Sequence, residues 1–186
     1  KNNTIKEKLK KVEIGAVIEQ DILESQVRIV YLGIGSNLGD KKKNIEIAKF
    51  LLSIHNIKIV KSSGFYESLS WPNKNNPKFL NIVLKVKTKL NPSELLKKCK
   101  EIEFLLGRKK APVNSPRTCD VDIIDYDNKN IKKDIISPHP RMHIRNFVLF
   151  PLFELDKQWK HPVSKIHIKN LILFLPKKDI TTIKQI

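Results

Sequence analysis

Pro116-Arg117-Thr118-Cys119-Asp120-Val121-Asp122-Ile123-Ile124 sets two carboxylates into an otherwise apolar, β-prone run, and the fold turns on reading that run as a strand. Side chains alternate along a strand, so Asp120 and Asp122 share one face with Cα atoms roughly 7 Å apart, while Val121 and Ile123 face a core. Two like charges this close at the edge of a hydrophobic layer repel unless something neutralises them. A hard divalent cation does so, and Mg²⁺ uses one or two carboxylates plus substrate phosphates. Arg117, ahead of the first aspartate, is placed to hold a phosphate oxygen at the strand's entrance. A solvated strand end of alternating polarity is the competing account, and the neighbouring sequence decides between them.

Working outward, residues 28–34 read as a buried strand, 35–40 as a turn, and 40–54 as a helix with Ile45, Ala48, Leu51 and Leu52 on one face. A second strand is expected at 57–66. The polar, proline-bounded loop at 67–77 is of a length that binds or covers something in a compact domain. Residues 79–87 alternate as a third strand. Asn91 and Pro92 supply an N-cap and a first helical position, and the helix they open carries Leu95, Leu96, Cys99, Ile102, Leu105 and Leu106 before stopping at Gly107. A basic loop at 108–116 then leads into the Asp-x-Asp strand. Beyond it we expect a hairpin arm at 128–136, a helix at 145–155 and short elements over 160–186. The order β-α-β-β-α-β predicts an α+β fold, a ferredoxin-like antiparallel sheet with two helices packed on one face and two long loops. That arrangement alone decides nothing about function.

The 186 residues suit one domain, expected at 28–186, with a core that needs no staples. Residues 1–27 place Ile5, Leu9, Val12 and Ala16 at helical spacing; they are expected as an N-terminal extension of unknown role. Only Cys99 and Cys119 occur, without a CxxC pair, which favours a reducing compartment. No apolar run approaches the roughly 18 residues of a membrane span, and no secretory signal is visible at the start. A cytoplasmic location is expected, with a true start trimmed or lying upstream of Lys1. Net charge is +17, and residues 1–27 sum to zero, so the whole excess belongs to 28–186. A basic surface implies an anionic partner, whether nucleic acid, acidic lipid or polyphosphate; a lysine-rich composition spread over solvated surface is the alternative. The few arginines discriminate better. Arg108, Arg117, Arg141 and Arg145 fall in one stretch with the paired aspartates, and only Arg28 lies apart.

Several familiar sites fit poorly. Gly33-x-Gly35 begins a dinucleotide fingerprint, but its third glycine would stand at Leu38. A Walker A loop needs Gly-Lys-Ser/Thr, and Gly39 is followed by Asp40. His139 and His143 have the spacing of a helical zinc pair, yet Pro140 makes His139 a poor member of a continuous helix. RNA binding on the sheet would need exposed aromatics in the central strands; residues 81–86 contain none, and the two aspartates would repel a phosphate backbone.

What remains forms a family pattern: the opening strand with Gly35-Ser36-Asn37-Leu38-Gly39, the run Phe79-Leu80-Asn81, Glu103 with Gly107-Arg108, the Pro116-Arg117-x-x-Asp120-x-Asp122 signature, and Pro138-His139 with Arg145-Asn146-Phe147. On these residues the chain resembles the 6-hydroxymethyl-7,8-dihydropterin pyrophosphokinases of folate biosynthesis over roughly residues 28–165. The resemblance implies transfer of pyrophosphate from MgATP to the hydroxymethyl oxygen of the pterin, with release of AMP. It implies two Mg²⁺ ions held by Asp120 and Asp122, and Arg108 and Arg117 gripping the transferring group. Lys110, Arg117, Ile123, His139, His143 and Arg145 are expected at the ATP. Ser68, Leu69, Trp71, Phe79, Asn81 and Phe147 are expected to form the pterin pocket, with Asn37 and Glu103 in support. Asn81 offers a donor and an acceptor together to the pterin's amide-like edge, and Phe147 offers a stacking face. The chain departs from the family's pattern at Phe79, where Tyr is frequent, at Asn114 for a lid Trp, at Lys110 for an Arg, and at Pro140 for an aromatic. Small-molecule substrates are the expected partners, with no membrane, and association or fusion with another folate-pathway enzyme stays open. The alternatives are a basic ferredoxin-like RNA-binding domain and a relative that binds pterin or nucleotide without reacting.

Overall fold

The computed structural model describes residues 27–70, 73–108, 112 and 114–186; the expected N-terminal helix, Trp71 and Lys110 lie outside them. The first strand, β1 (Arg28–Ser36), turns through Leu38 and Gly39 into α1 (Lys41–Ile54), whose N-cap Asp40 accepts from the Lys43 N–H at 3.0 Å. The expected second strand is two pieces, β2 (Lys58–Ser62) and β3 (Tyr66–Ser68), both paired antiparallel with β4 (Phe79–Thr88). The break falls at Ser63, whose hydroxyl replaces a ladder acceptor for the Val83 N–H at 3.0 Å. The helix α2 (Pro92–Leu105) opens on Asn91 and Pro92, as its sequence predicts, and Asn91 and Glu94 form a capping box in which each satisfies the other's backbone N–H. It leads through the basic loop into β5 (Asp120–Tyr126).

The sheet runs β5-β1-β4-β3, with every neighbouring pair antiparallel. One face carries Val30, Leu32, Ile34, Leu80, Ile82, Leu84, Val121 and Ile123, and buries them under Ile45, Ala48 and Leu52 of α1 and Leu95, Cys99 and Ile102 of α2. Fully burying side chains of this size contributes about 1.5–3 kcal/mol each, which makes this layer the main source of stability.

The expectation of helices on one face only is corrected by the rest of the chain. A 3₁₀ turn (Met142–Ile144) leads into α3 (Asn146–Leu155), followed by α4 (Ile168–Leu173), α5 (Lys177–Thr181) and β6 (Lys184–Gln185), the last pairing with β3. Val148, Leu149 and Leu152 of α3, with Trp159, Ile168 and Leu171, cover Tyr31, Val83 and Ile124 on the opposite face. A bulge at Tyr31/Leu32 adds an extra residue to β5. It brings Asp125 to this face beside Ile124, where its carboxylate accepts from the Trp159 indole N–H at 2.8 Å. The expected hairpin arm at 128–136 is also corrected, since only the isolated bridge Ile131↔Ser137 forms there. Among the described residues no helix is long and apolar enough to cross a membrane.

The second face is therefore divided. Its far end is apolar and roofed by α3 and α4. Its near end, where β1 presents Gly33 and Gly35, is open.

Candidate active site

The open end is a cleft of about 820 Å³ lined on its floor by Gly33, Gly35, Asn81, Asp120 and Asp122. Strand register explains the floor. Asp120 stands opposite Gly35, which stands opposite Asn81; Asp122 stands opposite Gly33. A row thus crosses the sheet from a carboxylate to an amide, spanning roughly 10 Å over two strand spacings. The glycines are needed for close approach. A Cβ on Gly35 would lie 3.0 Å from Asn81 Oδ1 and 3.3 Å from the Phe79 ring; one on Gly33 would lie 3.2 Å from Ile124 Cδ1.

Each aspartate is held by at least one guanidinium, and an aromatic ring lies against a guanidinium at each. Asp120 accepts from Arg108 Nη1 and, at 2.8 Å, from Arg117 Nη2; Arg117 also lies 5.3 Å from the Phe79 ring centre. Asp122 accepts from Arg145 Nη1 at 3.1 Å, and Arg145 lies 5.5 Å from the ring of Phe147. Burial by itself would raise the pKa of Asp120, but the charges of Arg117 and Arg108 override it and the net displacement is downward. This carboxylate is ionised at neutral pH.

His139 stands between Asp122 and Arg145. Its Nδ1 accepts from the Arg141 N–H at 3.1 Å, so the neutral ring carries its proton on Nε2, 3.8 Å from Asp122 Oδ2. Burial lowers its pKa against the upward pull of Asp122, which keeps the ring neutral at pH 7.

The surrounding residues explain the rigidity of the cleft. Glu103, 2% exposed, accepts the Val121 N–H at 2.8 Å and pairs with Arg108 Nη1 at 2.7 Å, tying the start of β5 and the arginine to α2. Burial raises its pKa above the ordinary carboxylate range. Asn37, 2% exposed, clasps two loops. Its Oδ1 accepts the Arg117 N–H at 2.8 Å, while its Nδ2 donates to Pro77 O at 3.2 Å and Ser70 Oγ at 3.3 Å. The loops meet again where Asn76 Nδ2 donates to the Asn114 carbonyl at 3.3 Å. On the far side of the row, Asn81 Nδ2 donates to Ser68 Oγ at 3.0 Å and Tyr66 O at 3.3 Å.

Of the residues singled out in the sequence, Arg108, Arg117, Asp120, Asp122, His139 and Arg145 line the cleft together with Ser68, Leu69, Phe79, Asn81 and Phe147. Asn37 and Glu103 lie behind it. Two placements need correction. Ile123 packs into the core under α1 and α2, and Ile124 lines the cleft instead. His143 is exposed beside His161, ring centres 6.4 Å apart, outside the lining. Sequence reasoning passed over the floor glycines and Ile124, although alternation from Asp120 already puts Ile124 on the aspartates' face. It also passed over Thr118, whose buried hydroxyl, like Arg117 Nε, has no hydrogen-bond partner among the described residues. Cys119, next to Asp120, is no nucleophile, because burial pushes its thiol up to about 12.

The residues present fit a divalent cation and a polyphosphate. No group of three or more His, Cys, Asp or Glu side chains is placed to enclose a metal among the described residues. A cation here would have the two aspartates plus ligand oxygens, the donor set that suits Mg²⁺. The unused Nε of Arg117 is a donor left over for an anion.

An antiparallel α+β sheet with a carboxylate pair and several guanidiniums along one open face is an arrangement suited to proteins that bind a polyphosphate with a divalent cation. The chain belongs to the 7,8-dihydro-6-hydroxymethylpterin-pyrophosphokinase (HPPK) family, whose sequence model matches residues 31–157. The 2-amino-4-hydroxy-6-hydroxymethyldihydropteridine pyrophosphokinase of Aquifex aeolicus is 40% identical over 145 residues, covering 75% of this chain and 88% of that one. Its counterpart in Bacillus subtilis is 40% identical over 132 residues, covering 70% and 79%. The folic acid synthesis protein fol1 of Pneumocystis carinii is 41% identical over 152 residues, 81% of this chain, yet this chain spans only 20% of that protein. Among solved structures, wild-type Plasmodium falciparum HPPK-DHPS is similar in fold, with a TM-score of 0.61 at 16% identity over 81% of this chain and 45% of that one.

Proposed function

We propose that this chain transfers the pyrophosphoryl group of ATP to the hydroxymethyl oxygen of 6-hydroxymethyl-7,8-dihydropterin, giving the pterin diphosphate and AMP. The observation that carries this reading is the row Asp120–Gly35–Asn81, which sets a cation-binding carboxylate and an amide reader at the two ends of one cleft. Pterin would lie over the glycine floor at the Asn81 end, between Phe79 and Phe147. The triphosphate would lie along Arg108, Arg117, His139 and Arg145.

Asp120 and Asp122 would hold Mg²⁺, two ions in this reading, which when bound neutralises the carboxylates and polarises phosphate oxygens. Freed from Asp120, Arg108 and Arg117 would turn to the β- and γ-phosphates, each guanidinium offering parallel N–H donors. Glu103 keeps Arg108 within reach while it changes partner. The hydroxymethyl oxygen attacks the β-phosphorus, the bond to the α,β-bridging oxygen breaks, and AMP departs with the electron pair; the hydroxyl proton passes to solvent. A phosphoryl-type transition state of this kind is helped mainly by positioning and charge. Arg145 and His139 Nε2–H would orient the α-phosphate or ribose. The loops clasped by Asn37 would exclude water that could otherwise intercept the transferring group.

The ferredoxin-like description of the sheet, the assignment of 28–186 as the catalytic domain with 1–27 as an extension, and association with another folate enzyme belong to the same proposal. They are supported by strand order, by the matched residues and by the longer relatives. The test is the nucleotide product after mixing protein, MgATP and the pterin. AMP formed only with the pterin, one for each pterin diphosphate, is expected. ATP bound without AMP would leave a non-catalytic relative.

A further inference from the structure

Residues 177–186 lie beyond the stretch that the family model matches, which ends at residue 157, yet they reach both walls of the Asn81 end of the cleft. On one wall, β6 pairs with β3, Tyr66 opposite Gln185 and Glu67 opposite Lys184, and the Ile186 N–H donates to Phe65 O at 3.0 Å. The junction is gathered by Glu154, near the end of α3. Its carboxylate accepts from the Gly64 N–H at 3.0 Å, the Tyr66 hydroxyl at 2.8 Å and Gln185 Nε2 at 3.4 Å. On the other wall, Asn146 Nδ2 donates to the Asp179 carbonyl, immediately before Phe147, and Ile180 packs on the cluster beneath.

We propose that residues 177–186 are a strap that positions the pterin-binding wall, with Glu154 as its positioning residue. The proposal rests on the pterin lying at the Asn81 end. β3 is only three residues long, and so short a strand paired on one side is marginal. Pairing on its second edge and charge-assisted bonds to Glu154, roughly twice as strong as neutral ones, hold it in place. What it holds is Asn81, because the two acceptors that orient the Asn81 amide, Tyr66 O and Ser68 Oγ, are both on β3. The strap acts at a distance from the triphosphate, and Lys184 and Gln185 are exposed, so loosening it at this end removes no residue of either hydrophobic cluster.

Two variants test it: Glu154→Gln, and Gln185→Ala combined with Ile186→Pro, which removes one side-chain donor and one ladder N–H. In both, the KM for the pterin should rise about five- to tenfold, while kcat and the KM for ATP stay within about twofold. Amide exchange should quicken at Tyr66, Glu67 and Ser68 and stay unchanged in β1 and β5. An unchanged pterin KM overturns the proposal, and so does a joint loss of kcat and of affinity for both substrates with a lowered Tm. If the parent protein forms no AMP with the pterin, the reaction has failed separately. The strap is then decided by amide exchange and by fluorescence titration of the pterin, and wild-type behaviour in both variants overturns it.

Discussion

Asp120 and Asp122 are chemically identical and differently placed. Asp120 is gripped by two guanidiniums, whereas Asp122 meets one guanidinium and a neutral imidazole. Removing Asp122 deletes half of the carboxylate pair and no core contact, so Asp122→Ala should hold turnover below about a tenth of wild type with an unchanged thermal midpoint. Retained activity above that level would remove the carboxylate from the metal site. Arg108 bridges Glu103 and Asp120 in the ground state and is free to follow developing charge. Arg108→Ala should therefore slow the single-turnover rate by about a hundredfold or more while ATP affinity changes only a few-fold. An unaltered rate would take Arg108 out of the mechanism. Gly35→Ala drives a methyl group against Asn81 Oδ1 and Phe79. It should weaken pterin binding with little effect on ATP, a contrast that calorimetric titration of each substrate would reveal.

At the scale of elements, the site depends on how loops are fastened to strands. Asn37 ends a strand-turn segment, yet its amide joins the backbone of Arg117 to Pro77 and Ser70. Three hydrogen bonds, one buried and two part-buried, leave with Asn37→Ala, and the stranded groups are only partly rehydrated, so unfolding in urea should show a loss of about 2 kcal/mol. Equal stability of variant and parent would mean that the clasp is not formed in solution. The opening of α2 was legible because Asn91 and Pro92 are local. The break between β2 and β3 was not, because the Ser63 hydroxyl stands in for a backbone acceptor toward the Val83 N–H of β4, a donor twenty residues away in sequence.

Across the whole molecule, the two faces of the sheet answer to different demands. The layer under α1 and α2 is continuous and apolar; the opposite layer buries Asp125 at 1% exposure. Burial pushes that carboxyl up to about 6, although Trp159 and the Asn128 N–H donate to it and pull the other way. The folded chain therefore binds this proton more tightly than the unfolded chain. Its contribution to stability is fully present below the unfolded pKa and is lost as pH rises through about 6. Asp125→Asn cannot ionise, so its stability relative to the parent should increase by up to ~3 kcal/mol between about pH 4 and pH 6.5. Parallel stability curves for the two proteins over that range would show that the carboxyl titrates normally.

Alternation and capping are local rules, and what they govern was determined by the sequence alone: the strand with its two aspartates on one face and the helix opened by Asn91 and Pro92; the set of cleft residues came from the resemblance to a family. The second roof was decided only by the tertiary structure, because α3 and α4 gain stability from a sheet face that no single segment encodes. The exchange of Ile123 for Ile124 at the cleft was within reach of alternation, which puts Ile124 on the aspartates' face and Ile123 in the core; the roof over the far end was not. Glu154 and β6 belong to the same category. A glutamate at a helix end and a short polar tail carry no local signal, and their role exists only once folding has brought β3 between them.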